Sequence, residues 1–314
     1  MATGYFSHSA CRKHDMGEGH PECPARLAAI DDHLRAQGLD ALLLPGECPT
    51  ATIEELSRAH DQGHVVNLLD MLQQLSLCGD HRYLDPDTLA MPGTYEAALR
   101  AAGAAVAATD AVIDGKLSNA FCAVRPPGHH ATRHEVMGFC FFNNVAVAAR
   151  HALDDRGLSR VAIVDFDVHH GNGTEDILVD DDRVLMVGTF QHPFYPHTGF
   201  HPLGHNMCNV PLPARSDGKA FRDAVMSRWI PALDEFKPEM IFISAGFDAH
   251  REDDLGGLGL VEADYAWVTE QIMAVAQRWS KGRVVSCLEG GYSLSALGRS
   301  VAAHLKVMAG LSGT

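Results

Sequence analysis

Four continuous apolar runs in this chain each end in a short stretch crowded with histidine, glycine and aspartate. That pairing limits the fold more than any other feature. Ala120–Val124 leads into Arg125-Pro-Pro-Gly-His-His, and Val161–Val164 into Asp165-Phe-Asp-Val-His-His-Gly. Ile241–Ser244 leads into Ala245-Gly-Phe-Asp248, and Val284–Leu288 into Glu289-Gly-Gly-Tyr292. Unbroken apolar runs mark strands covered on both faces, whereas a half-exposed strand alternates. Strands are expected at Ala120–Val124, Arg160–Phe166, Arg183–Val187, Met240–Ser244 and Arg283–Leu288. Helical patterns lie between them, at Thr94–Asp114, Phe142–Asp155, Asp217–Phe236 and Ala263–Trp279. Alternating strands and helices predict an α/β fold: three layers, with a single mostly parallel central sheet and helices on both faces. No linker or repeat divides the chain, so one domain is expected over residues 1–314. Ligands of an open parallel sheet bind outside the carboxyl ends of its strands. Four separate segments therefore bring reactive side chains to one edge.

Composition narrows what that edge can bind. The formal charge is −15, which argues against nucleic acid, since that partner needs a basic footprint. It favours basic partners such as lysine-rich tails or polyamines. The longest weakly charged run, Ala97–Asp114, is interrupted by Arg100 and Asp110 and does not read as a membrane span. The first residues lack the basic start and apolar core of a secretory signal, so a cytoplasmic protein without a membrane partner is expected. Eight cysteines are scattered with no CxxC pair, which points to a reduced chain.

The chemistry follows from residue types and spacing. Asp167 and His169 are two apart at a strand end and point the same way. With Asp248 they can form a three-ligand site with an open fourth position, as catalytic zinc requires. Two oxygens and one nitrogen make a hard donor set, which leaves Fe²⁺, Co²⁺ and Mn²⁺ open. His129 and His130 suit proton transfer, with Asp165 and Asn172 as the groups that fix their tautomers. Tyr292, after two glycines, can aim a phenol at a developing oxyanion. Phe139 and the Phe194-Tyr195 pair offer rings to clasp an extended alkyl chain.

Together these segments resemble the histone deacetylase family, within the arginase–deacetylase fold. The resemblance rests on RPPGHH at 125–130, GFCFFNN at 138–144, DFDVHHGNGTED at 165–176, AGFDAH at 245–250 and EGGY at 289–292. His20-Pro-Glu-Cys-Pro-Ala-Arg26 and Asn172 resemble the class II form. The resemblance implies one zinc per chain on Asp167, His169 and Asp248. His130 would be the main base and then the acid, and His129, paired with Asp165, would give electrostatic help. Tyr292 would polarise the scissile carbonyl. The substrate-binding set would be Gly138, Phe139, Tyr195, Leu255, Arg26 and Gly290, with Arg26 at the foot of the pocket. The family's potassium site would draw on Asp165, on main-chain oxygens around Asp167 and His169, and on a serine hydroxyl of the next strand. Its serine is replaced here by Gly188, with Thr189 beside it, so Thr189 or a water would substitute.

Leu255 stands where polyamine-specific relatives carry a glutamate. That favours acyl-lysine peptides, proteins or neutral acylamides over acetylpolyamines, although Glu252, Asp253 and Asp254 nearby can attract a polycation. A two-metal ureohydrolase would need an aspartate where Gly171 stands. A scaffold that binds acyl groups without cleaving them would be expected to lack the tyrosine or a ligand. Residues 5–21 are expected at the pocket rim, with His8, His14 and Asp15 touching substrate. Assembly into a homo-oligomer is left open.

Overall fold

A computed structural model describes residues 2–311; residue 1 and residues 312–314 of the expected domain lie outside the described part. The strands are β1 (Thr3–Phe6), β2 (Leu43–Gly46), β3 (Arg82–Tyr83), β4 (Leu89–Ala90), β5 (Asn119–Cys122), β6 (Val161–Asp165), β7 (Val184–Gln191), β8 (Met207–Leu212), β9 (Met240–Ala245) and β10 (Val284–Leu288). The longer helices are α1 (Ala25–Ala36), α2 (Ile53–Ser57), α3 (Gln62–Cys78), α4 (Thr94–Ile113), α5 (Asn144–Asp154), α6 (Asn172–Leu178), α7 (Gly218–Ala224), α8 (Ile230–Phe236), α9 (Glu262–Trp279) and α10 (Leu294–Met308).

Eight strands form one sheet in the order β2-β1-β5-β10-β9-β6-β7-β8, and every pairing in it is parallel. The four strands whose apolar runs end in reactive residues are thus direct neighbours at its centre. Strand pleating sends alternate residues to opposite faces. On one face Phe121 and Ser286 meet His304 of α10. Ala120, Cys122 and Cys287 turn the other way, toward α4. Both faces are therefore covered, which is why these strands carry no polar alternation.

The five expected strands are present. Strands β1, β2 and β8 add to them. The two edge strands, β2 and β8, contain Pro45 and Pro211, and an edge position tolerates both a missing donor and a less apolar pattern. The expected helix 217–236 is present as one continuous helical run from Gly218 to Phe236, widened by a π turn at Val225–Trp229. Pro231 follows in the first turn of α8 and cannot donate to the helix ladder. The alanine run became α4, whose alanines are buried against α5. No helix among the described residues is long and apolar enough to cross a membrane. All eight cysteines are unpaired.

Candidate active site

The loops leaving β5, β10, β9 and β6 meet at a narrow cavity of about 260 Å³. His130, His169 and Tyr292 lie at its inner end, Gly138, Phe139, Phe194 and Tyr195 wall it, and the exposed Asp87 and Asp254 flank its mouth beside Leu255. A larger hollow of about 790 Å³ adjoins it, sharing Asp87 and Tyr195 but none of the candidate metal ligands.

One donor atom from each of Asp167, His169 and Asp248 lies within 4.8 Å of the others, and no second such trio occurs among the described residues. The two aspartates are fixed from behind. Val168 N–H donates to Asp248 Oδ1 (2.9 Å) and Gly290 N–H to Asp167 Oδ2 (2.9 Å). His169 Nδ1 sits 3.0 Å from Asp167 Oδ1 and 3.2 Å from Asp248 Oδ2. Asp248 Oδ2 is nonetheless buried without a hydrogen bond. Burial, and then the charge of Asp167, push the Asp248 carboxyl up to about 7, the expected response of two buried carboxylates at close quarters. An orphaned carboxylate oxygen, a second carboxylate and an imidazole fit a divalent cation. A Cβ at Gly290 would fall 2.0 Å from Asp248 Oδ2, so only glycine allows this approach. Gly290 thus supports the candidate ligands and does not line the cavity.

The adjacent histidines are held in opposite states. His129 Nδ1 is 3.0 Å from Asp165 Oδ2, and its Nε2 is 3.8 Å from Asp167 Oδ2. Burial opposes its charge, but Asp167 and Asp165 outweigh burial and raise its pKa to about 10. His130 Nδ1 is 2.7 Å from Asn172 Oδ1, at the start of α6. Burial first, then the neighbouring His129 and His169, hold His130 well below the usual imidazole value. With its Nδ1 proton given to Asn172, the Nε2 lone pair is free to accept another.

Tyr292 lies under Phe139, with ring centroids 6.0 Å apart, and Arg26 sits 4.9 Å from its ring centre. Burial raises the phenol well above its ordinary pKa, so it stays a proton donor at neutral pH. Arg26 is buried and donates to Gly291 O (2.6 Å), to Glu289 O and to Glu22 Oε1 (3.1 Å). Gly138 has φ +56°, and a Cβ there would meet His130 Cδ2 at 2.5 Å. Phe139, at φ +71°, holds a backbone conformation that costs a non-glycine residue energy and that clusters at functional sites.

Three expectations change. His14 is buried, bonded to Thr94 Oγ1 (2.9 Å) and close to Glu22. Tyr5 belongs to β1 and no residue of 5–21 lines the cavity itself; His20 borders it, with its ring centroid 4.8 Å from that of Phe139 and its Nε2 3.2 Å from Asp87 O. Beside Asp165 the strand register places Gly188, where no side chain can offer a hydroxyl. The pleat turns Thr189 to the opposite face, and the Asp165 oxygens already accept from Asp167 N–H (3.0 Å) and face His129. The Thr189 hydroxyl therefore does not replace the family's serine; the rest of the expected set is Asp165 and main-chain oxygens around Asp167 and His169.

Phe194 was not singled out as a wall, yet it stacks on His169 with centroids 5.3 Å apart. Asp254 at the mouth is where it was expected, beside Leu255, whereas Asp87 was missed, as was buried Glu289. Its Oε2 accepts from Gly128 N–H (2.7 Å) and His129 N–H (3.1 Å). The EGGY match carried that last signal, since its glutamate adjoins the turn.

The family model described as the histone deacetylase domain matches residues 20–308. Histone deacetylase 14, chloroplastic, of Arabidopsis thaliana is 37% identical over 97% of this chain and 76% of its own length. A probable deacetylase of Archaeoglobus fulgidus is 36% identical over 100% of the chain and 87% of its own. A histone deacetylase-like amidohydrolase of Pseudomonas aeruginosa is 37% identical over 88% of the chain and 73% of its own. The crystal structure of the HDA15 HD domain superposes with a TM-score of 0.92 at 34% identity, covering 100% of this chain and 89% of that one.

Proposed function

The chain belongs to the histone deacetylase family and is a deacetylase, a hydrolase of amide bonds; on that premise we propose that it removes acyl groups from acyl-lysine-like amines with one zinc ion held by Asp167, His169 and Asp248. The observation that supports this most is the convergence of those three donors with His130 and Tyr292 at the inner end of one aromatic-walled cavity. Zinc, when bound, polarises an acyl oxygen and lowers the pKa of water from about 15.7 toward 7.

The chain's own residues do the rest. Phe139, Phe194 and Tyr195 enclose an alkyl chain and exclude solvent, and the Gly138 carbonyl is the acceptor for the substrate amide N–H. His130, neutral and presenting Nε2, takes the proton from the attacking water and returns it to the leaving amine. Asn172 fixes its tautomer. His129, charged between Asp165 and Asp167, supplies a fixed positive field. The Tyr292 phenol donates to the oxygen on which negative charge develops. Arg26 braces that tyrosine from below.

Leu255 at the mouth offers no ionic partner to a second ammonium, and the exposed carboxylates of Asp87 and Asp254 are screened by water. Acyl-lysine peptides are therefore the favoured substrates over acetylated polyamines. Eight unpaired cysteines suit a reducing compartment such as the cytoplasm. The test is kcat/KM for an acetyl-lysine peptide, acetylputrescine and acetylspermidine side by side. The peptide is expected to lead by about tenfold, or about 1.4 kcal/mol; a lead of that size for either polyamine would overturn the assignment.

A further inference from the structure

The loop that carries Asp248 at one end and Leu255 at the other contains a carboxylate that the mechanism does not use. Asp253 is only 4% exposed, and no arginine, lysine or histidine pairs with it among the described residues. A buried unpaired carboxylate is costly unless hydrogen bonds satisfy it. Here three main-chain N–H groups do so. Its Oδ2 accepts from Tyr292 N–H (2.6 Å) and Ser293 N–H (2.9 Å), and its Oδ1 from Leu255 N–H (3.1 Å).

The segment it grips needs gripping. Gly290 and Gly291 precede Tyr292, and Gly291 has φ +122°, so the main chain there has few conformational restraints of its own. Among the described residues the Tyr292 hydroxyl has no hydrogen-bond partner, and its ring packs against Arg26 and Phe139. Arg26 holds the carbonyl side of the turn, at Gly291 and Glu289. Asp253 holds the N–H side. Ser293 is the N-cap of α10, yet its hydroxyl caps nothing, so the carboxylate also supplies negative charge at the positive end of that helix. On the outer side of the same loop, Arg299 of α10 bonds Glu252 (2.7 Å).

We propose that Asp253 is the positioning residue for Tyr292: its carboxylate sets the main chain that aims the phenol, and locks that main chain to Leu255 at the channel mouth. This rests on the reading of Tyr292 as the polarising donor.

The test is Asp253→Asn in the full, zinc-loaded chain. It keeps the size of the side chain but turns an NH₂ group toward N–H donors. We expect kcat to fall about 10- to 100-fold, as for a small misplacement of a reacting group. KM should stay within about twofold and zinc content should be unchanged, the pattern of an interaction made only in the transition state. Added to Tyr292→Phe, it should cost less than about threefold more, because both changes remove one device. In a chain labelled with 3-fluorotyrosine, the fluorine line that disappears in Tyr292→Phe should shift or split in Asp253→Asn. If Asp253→Asn does not fold, Asp253→Glu is read in the same ways. An unmoved fluorine line overturns the proposal whatever the kinetics, as do losses that multiply with those of Tyr292→Phe. Should Tyr292→Phe itself keep near-normal kcat, the functional reading fails, while the fluorine line still reports whether Asp253 places the ring.

Discussion

His129 and His130 are neighbours in sequence and opposites in proton affinity, because two carboxylates outweigh burial at the first ring, whereas burial and then the charges of His129 and His169 keep the second neutral. At this scale the chemistry depends on single atoms. On the proposed mechanism Tyr292→Phe removes one donor from the developing oxyanion and should lower kcat by about 10²–10³-fold, with zinc content intact; near-normal turnover would exclude the phenol from the reaction. Gly138→Ala would press a methyl toward His130, 2.5 Å away, in a backbone conformation that disfavours any side chain. We expect a folded chain with kcat reduced at least about tenfold, and wild-type turnover would show that the wall yields there. The residues that spacing and motif could reveal were those with chemistry of their own: the ligand trio, the histidine pair with Asp165 and Asn172, and Tyr292. Phe194 was not legible, because two adjacent aromatics in a loop carry no period that says which ring faces the cavity. Asp87 was not legible either, since a loop carboxylate outside any motif looks the same at a channel mouth as elsewhere on the surface.

Among the elements, α10 shows how burial sets pH behaviour. His304 on α10 lies between Thr269 of α9 (2.7 Å) and Ser286 of β10 (3.0 Å), and burial lowers its pKa to about 3. Its unfolded value is about 6.5. Between these values the unfolded chain binds the extra proton and the folded chain does not, so stability is full above about pH 6.5 and falls as the pH drops toward 3. His60, lowered to about 4 chiefly by burial, acts in the same direction. Urea midpoints measured from pH 7 to pH 4 in the chain and in His304→Gln should differ in slope by about one proton; parallel curves would mean that His304 is not held neutral. The five strands covered on both faces were readable because burial removes every polar alternation. Edge strands β2 and β8 escaped for the complementary reason: with one free edge, Pro45 and Pro211 are tolerated and the apolar signal thins. Helix 217–236 was readable from its period, but the π turn inside it, just before Pro231, was not, because a local widening leaves the apolar spacing intact.

For the molecule as a whole, the sequence implied that reactive segments share one edge of a sheet, but not which strands are neighbours. The order β5-β10-β9-β6 is set by long crossovers, and no local pattern encodes it. The charge of −15 also acts at this scale. Attraction of a basic acetyl-lysine peptide should weaken as salt rises from about 0.02 to 0.3 M, so its kcat/KM should fall several-fold more than that of an uncharged acylamide. Equal salt responses would show that long-range charge plays no part in capture. The central claim is that one metal ion, held by Asp167, His169 and Asp248, is required for hydrolysis. Zinc titration into the chain stripped of metal tests it most directly. One equivalent should bind and restore hydrolysis of an acetyl-lysine peptide, and undiminished hydrolysis by the stripped chain would contradict it.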